Sequence, residues 1–153
     1  MIQSGMCSLR DQYCTSPICL LAQAFEPQHL GNTLWALSKQ GIRPDDVWMD
    51  AFMLQLKRSV ARLAPVDVSN VLYGLASLGF EPRGAAHASL MQGLMQQLVT
   101  PRPVSANGSR GRVGEASGSP QALANGMWAL ATMSVLPSKA WMEEVSDCGE
   151  FHQ

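Results

Sequence analysis

An amide and an aromatic side chain stand three residues apart at three places in the chain: Asn32 with Trp35, Asn70 with Tyr73, and Asn125 with Trp128. Such a pair has a chemistry. A carboxamide can bond the edge of a nucleobase, and helical repeats can read roughly one base apiece in that way. An aromatic ring can stack a base for about 1–3 kcal/mol. Four residues past each aromatic stands a polar residue that varies: Lys39, Ser77 and Thr132. A choice between ligands would sit at such varied positions, and Arg43, Glu81 and Leu136 form a second varied set. The candidate ligand contacts are therefore Asn32, Lys39, Arg43, Asn70, Ser77, Asn125 and Thr132. The aromatics have a competing role, because a residue held at one place in every unit usually packs between helices, and tryptophan is rarely left in water. Trp35, Tyr73 and Trp128 are expected to be structural. The asparagines divide evenly between ligand contact and a buried ladder that bonds neighbouring backbone.

The pairs belong to a longer repeat. From Asn32 to Asn70 is 38 residues, and from Asn70 to Asn125 is 55. Pro44, Pro82 and Pro137 keep both offsets, as do Ile42, Phe80 and Val135, and Leu30, Val68 and Leu123. A period of about 20–50 residues marks a solenoid array, in which each unit buries its apolar face against its neighbours. Each unit reads as helix, turn, helix. Leu30, Leu34 and Leu37 form one apolar face at i, i+4, i+7, repeated by Val68, Leu72, Leu75 and by Leu123, Met127, Leu130. Pro27 and Pro65 suit a first helical turn. Gly41 and Gly79 suit a left-handed cap behind the helix. Asp45 or Asp46 can cap the second helix of the first unit. That helix carries Trp48, Phe52, Leu56 and Val60, and its counterpart carries Ala86, Leu90, Leu94 and Leu98.

The expected fold is all-α, an α-solenoid of helical hairpins with a 38-residue period, of armadillo or HEAT type. Repeat 1 spans 27–64, repeat 2 spans 65–98, and a truncated repeat 3 spans 120–146. Residues 1–26 read as the end of a preceding repeat and 147–153 as a tail, with the last helix running out near Val145. The third unit begins 17 residues late. The excess lies in 99–119, where Gly108, Gly111, Gly114 and Gly118 with Pro101 and Pro103 predict a flexible insertion. The structural repeat positions are Leu34, Trp35, Leu37, Pro44, Trp48, Leu72, Tyr73, Pro82, Trp128, Pro137 and Trp141.

Composition limits the function classes. Hydrophobic residues make up 46% and charged residues 15%, enough to bury a core. A formal net charge of −1 lacks the basic footprint of strong, non-specific phosphate binders. Cys7, Cys14, Cys19 and Cys148 show no metal-ligand spacing, so no metal is expected and a reducing compartment is. No apolar run approaches the ~18 residues of a membrane span, and no targeting peptide is recognisable. Nucleophile elbow, phosphate loop and paired-carboxylate motifs are all missing. His29, His87 and His152 show no ligand or base spacing, and Met91 and Met95 read as core. The chain is read as a non-enzyme with no cofactor and no small-molecule ligand.

The segment Pro27-Gln-His-Leu-Gly-Asn-Thr-Leu-Trp-Ala-Leu-Ser-Lys-Gln-Gly-Ile-Arg-Pro44, followed by Trp48, resembles the octotricopeptide repeat, a degenerate unit of organellar RNA-binding proteins in algae and other protists. Pro120-Gln-Ala-Leu-Ala-Asn-Gly-Met-Trp-Ala-Leu-Ala-Thr132, with Pro137 and Trp141, is similarly close. The middle unit departs, with Tyr73-Gly74 for Trp-Ala and Ala86 for the second tryptophan. The likeness extends to the leucine-rich region of FAST-kinase-domain proteins. In several of those a nuclease-like RAP domain follows, and nothing in this chain matches it. The resemblance implies single-stranded RNA as partner, mitochondrion or chloroplast as location, and a role in transcript stability, processing or translation. A protein-binding scaffold of armadillo or HEAT type is the alternative, since such arrays host both functions.

Overall fold

The computed structural model describes residues 25–100 and 119–149, with side chains through residue 146. The readings for 1–24, for the insertion at 101–118 and for 150–153 lie outside the described residues. Within them every regular element is helical and no strand occurs. The helices are α1 (Pro27–Gln40), α2 (Asp46–Ser59, extended by a 3-10 turn at Val60–Arg62), α3 (Pro65–Ser77), α4 (Gly84–Val99), α5 (Pro120–Thr132) and α6 (Lys139–Gly149).

The first helix of each pair begins alike. Proline occupies the first turn of α1, α3 and α5, where its missing N–H leaves nothing unsatisfied. A side chain then accepts one of the orphan backbone donors. His29 Nδ1 accepts from Glu26 N–H at 3.2 Å, Asp67 from Ala64 N–H at 3.2 Å, and Ser119 Oγ from Ala122 N–H at 3.2 Å. On α2 the cap is Asp45, whose carboxylate accepts from Trp48 N–H at 2.8 Å.

The three helices also end alike. Gly41, Gly79 and Ser134 take φ of 65°, 68° and 56°. The next N–H reaches back five residues in each case: Ile42 to Leu37 O at 3.0 Å, Phe80 to Leu75 O at 2.9 Å, and Val135 to Leu130 O at 2.9 Å. This is the Schellman closure. It recurs at the offsets of 38 and 55, and Pro44, Pro82 and Pro137 follow in the turns. Ser134 is the repeat counterpart of Gly41 and Gly79, so a left-handed serine is accepted to keep the same exit.

Packing follows from the apolar faces. Helix α3 lies between α1 and α5. Leu30, Leu34, Val68, Leu72, Leu75 and Leu130 are buried in one continuous core with Leu56, Leu94 and Leu98 of the second helices. The first helices touch backbone to side chain. A Cβ on Gly74 would sit 2.8 Å from Leu34 Cγ and 3.0 Å from the Leu34 backbone, and one on Gly31 would sit 3.0 Å from Asp67 O. Only glycine or a small residue admits this approach. The repeat counterpart of Gly74 in α5 is Ala129, fully buried.

Three expectations are corrected. Met127 is 37% exposed rather than buried with Leu123 and Leu130, because no described helix lies beyond α5 to cover it. Helix α6 continues past Val145 to Gly149, since Ser146 and its successors carry no breaker before that glycine and Ser146 Oγ bonds Met142 O at 3.0 Å. Ala86 is exposed, so only Leu90, Leu94 and Leu98 of its row join the core. Among the described residues no helix is long and apolar enough to cross a membrane.

Candidate functional site

The amide-aromatic strips of α1, α3 and α5 come together on the outer face of the first helices. Trp35 and Lys39 are one turn apart on α1, Tyr73 and Ser77 on α3, and Trp128 and Thr132 on α5. Lys39 Nζ donates to the Tyr73 hydroxyl at 3.0 Å. The same ammonium lies 4.7 Å from the Tyr73 ring centroid and 5.8 Å from that of Trp35. Tyr73 and Trp128 meet with centroids 5.1 Å apart and planes tilted by 31°. Trp35, Lys39, Tyr73 and Trp128 thus form a ledge that crosses all three helices.

The ledge is open, so Trp35 and Trp128 are not withdrawn from water as expected, although Tyr73 and Trp128 do pack between neighbouring helices. Trp35 is 44% and Trp128 48% exposed, and Tyr73 is half-buried. They do touch their neighbours, but across the surface. The physical reason is the residue that follows each aromatic. Gly74 and Ala129 take the tight inter-helix position, with Ala36 their repeat counterpart on α1, and the aromatic one residue earlier is turned about 100° away from it. An aromatic next to a small residue, repeated three times, was the signal for this division of labour.

Electrostatics at the ledge centre on Lys39, the only charged side chain on the three strips. Its hydrogen bond to Tyr73 comes first in lowering the phenol below its ordinary value, with a hydrogen bond from Ser77 and the ammonium charge adding to it. Lys39 therefore presents a cation between two ring faces, where cation-π attraction is worth about 0.5–1 kcal/mol at exposed sites.

The other predicted contacts divide. Asn32 is exposed on the ledge, and Asn70 and Asn125 are half-buried. They form no backbone-bonding ladder among the described residues: Asn125 Oδ1 accepts from Gln121 Nε2 at 2.9 Å, and Asn70 abuts Gly31 instead. Ser77 is exposed beside Tyr73. Thr132 is exposed, but its hydroxyl donates to Trp128 O at 2.9 Å. Arg43 is not on the ledge. It lines a groove at the turns with Asp46, Glu81 and Arg83, where Arg83 pairs with Glu81.

The second helices carry the other tryptophans inward. Trp141 is 5% exposed and its Nε1 donates to Met95 O at 2.8 Å. Trp48 is half-buried and stacks on Phe52 at 5.1 Å. Among the described residues no three His, Cys, Asp or Glu side chains converge as metal ligands. No known protein family, curated protein or solved structure matches the chain.

Proposed function

We propose that the chain is a segment of a helical-repeat solenoid that binds single-stranded RNA along the outer face of its first helices. The carrying observation is the ledge itself: Trp35 and Trp128 exposed and Tyr73 half-buried between them, with Lys39 between the rings of Trp35 and Tyr73. Unpaired bases expose ring faces for stacking, and their backbone supplies a phosphate for the cation. A duplex hides those faces, so the ligand is single-stranded. The common Schellman exit at offsets of 38 and 55 residues supports the solenoid part of the reading, because it repeats the local geometry and not only the letters. By the octotricopeptide resemblance the ligand is an organellar transcript, and the role lies in its stability, processing or translation.

The test is filter binding of single-stranded RNA at two salt concentrations, with wild type and with the Trp35→Ala, Trp128→Ala double variant. Both residues are about half exposed, so the fold should survive, and a thermal melt checks it. The double variant is expected to bind at least about fivefold more weakly, the low end of one lost stacking contact. Undiminished binding, or none in the wild type, would move the function to a protein scaffold, which the net charge of −1 favours.

A further inference from the structure

The two ends of the first-helix row carry the two halves of the contact that holds its middle. Helix α3 lies between α1 and α5. Toward α1 it turns Asp67, Asn70 and Gly74, which receive Gly31 and Leu34. The repeat counterparts of Gly31 and Leu34 on α3 are Ser69 and Leu72, buried on its opposite side, toward α5. There the counterparts of Asp67, Asn70 and Gly74 are Ala122, Asn125 and Ala129, and both alanines are buried. Each first helix therefore has an inserting row on one side and a receiving row on the other. On α5 the inserting row is Ala124, Met127 and Ala131, all exposed. On α1 the receiving row is His29 and Asn32, both exposed, and Ala36, half-buried. Among the described residues neither row has a helix against it.

We propose that α5 of one copy packs on α1 of a second copy, head to tail, so that the row of first helices runs on from chain to chain. The occupant follows from continuity with the two contacts inside the chain. In the first, Leu34 seats against Gly74. In the second, the repeat sets Leu72 against Ala129, both fully buried. In the third, Met127 meets Ala36 of the second copy, again a long apolar side chain against a small residue. Methionine is unbranched and adapts to such a seat. Neither row carries Asp, Glu, Lys or Arg, so no full charge is buried when the two meet. The contact joins two different surfaces, so each added copy leaves one of each free and assembly does not end at a dimer. The ledge runs on as well. Tyr73 meets Trp128 at 5.1 Å within the chain, and Trp128 takes the same relation to Trp35 of the second copy. The proposal does not rest on the RNA reading.

The test is sedimentation equilibrium of the full chain, free of RNA, over a range of concentrations. The average mass should rise with concentration from 16.5 kDa to beyond the dimer. Met127→Arg spoils the inserting row and Ala36→Arg the receiving row. Each variant alone should associate at least about tenfold more weakly, because the contact would bury an unpaired charge. Mixed one to one, the two variants still hold one sound face apiece, and they should form a dimer and nothing larger. Thermal melts check both folds, and Ala124→Arg, at an exposed position, replaces Met127→Arg should that variant melt early. The proposal is overturned by a wild type that stays monomeric, by either variant associating as wild type does, or by a mixture that forms no dimer. A monomeric wild type that Ala36→Arg destabilises would put another part of the same chain against α1, and that outcome overturns it as well.

Discussion

Lys39 of α1 and Tyr73 of α3 share a 3.0 Å hydrogen bond across the boundary between two repeat units, 34 residues apart in the chain. One exposed contact thereby ties the ledge of one unit to the ledge of the next. It also sets the protonation of the phenol. A donated hydrogen bond and a nearby cation both favour the phenolate, so Tyr73 ionises below the ordinary 10.0.

This gives a titration with a definite sign. The folded-state value is depressed, so the linked stability is fully present above the unfolded value near 10.0 and is lost as pH falls through the lowered folded value. Stability should rise with pH within that window. In a Tyr13→Phe background, which leaves Tyr73 as the reporter, phenolate absorbance should appear at lower pH than in free tyrosine. Lys39→Ala should shift it upward, and high salt should shrink the difference. An identical titration with and without Lys39 would remove the contact from the solution structure.

The same lysine should dominate RNA binding among the basic residues of the first unit. Lys39→Ala should weaken affinity for all sequences and flatten the salt slope by about one unit per lost phosphate contact. Arg43→Ala should change neither, because Arg43 faces the turn groove beside Glu81 rather than the ledge. Equal effects of the two substitutions would show that the bound strand leaves the ledge and runs over the turns.

Much of this is legible in the sequence, for physical reasons. Leu30, Leu34, Val68 and Leu72 recur at the helical period and are fully buried, and Gly41 and Gly79 sit where a left-handed cap needs them. Periodicity reports which face is covered when a neighbour exists to cover it, which is why Met127 escaped. The exposure of Trp35 and Trp128 runs against tryptophan's usual burial, and its local cue is the small residue directly after each aromatic. Arg43 was grouped with Lys39 by position in the unit, and only the turn geometry separates them.

The close approach of α1 and α3 yields a stability prediction at Gly74. Alanine there gains about 1 kcal/mol of helix propensity over glycine. Against that, its methyl meets Leu34 Cγ at 2.8 Å and the Leu34 backbone at 3.0 Å. Overpacking of this kind costs about 1–3 kcal/mol, and backbone cannot swing aside. Gly74→Ala should therefore lie between neutral and about 2 kcal/mol destabilising, and Gly74→Val should be worse. Urea denaturation measures both. Gly126→Ala offers a contrast, because its methyl would meet the end of the Leu98 side chain, which can rotate. A valine tolerated at position 74 would mean the helices sit further apart.

Gly41 and Ser134 provide the sharpest check on the equivalence of the units, because each holds the residue type that the other's position would also accept. Gly41 has φ of 65° and nothing within 4 Å of the position a Cβ would take. An alanine there meets no atom and suffers only the left-handed backbone, at roughly 1–2 kcal/mol. The stiffer unfolded chain offsets part of this, so Gly41→Ala should destabilise by about 0.5–1 kcal/mol. Ser134, at φ of 56°, already bears that strain. Ser134→Gly relieves it while loosening the unfolded chain, so the net should be a gain of about 0.5–1 kcal/mol. The two substitutions should thus be near mirror images in urea midpoint, with unchanged m-values. They lie in the first and third units, with α3 between their helices, so the double variant should be close to wild type by additivity. A loss of stability in Ser134→Gly would mean that the serine hydroxyl stabilises the turn in a way glycine cannot, and the third exit would no longer count as a copy of the first two.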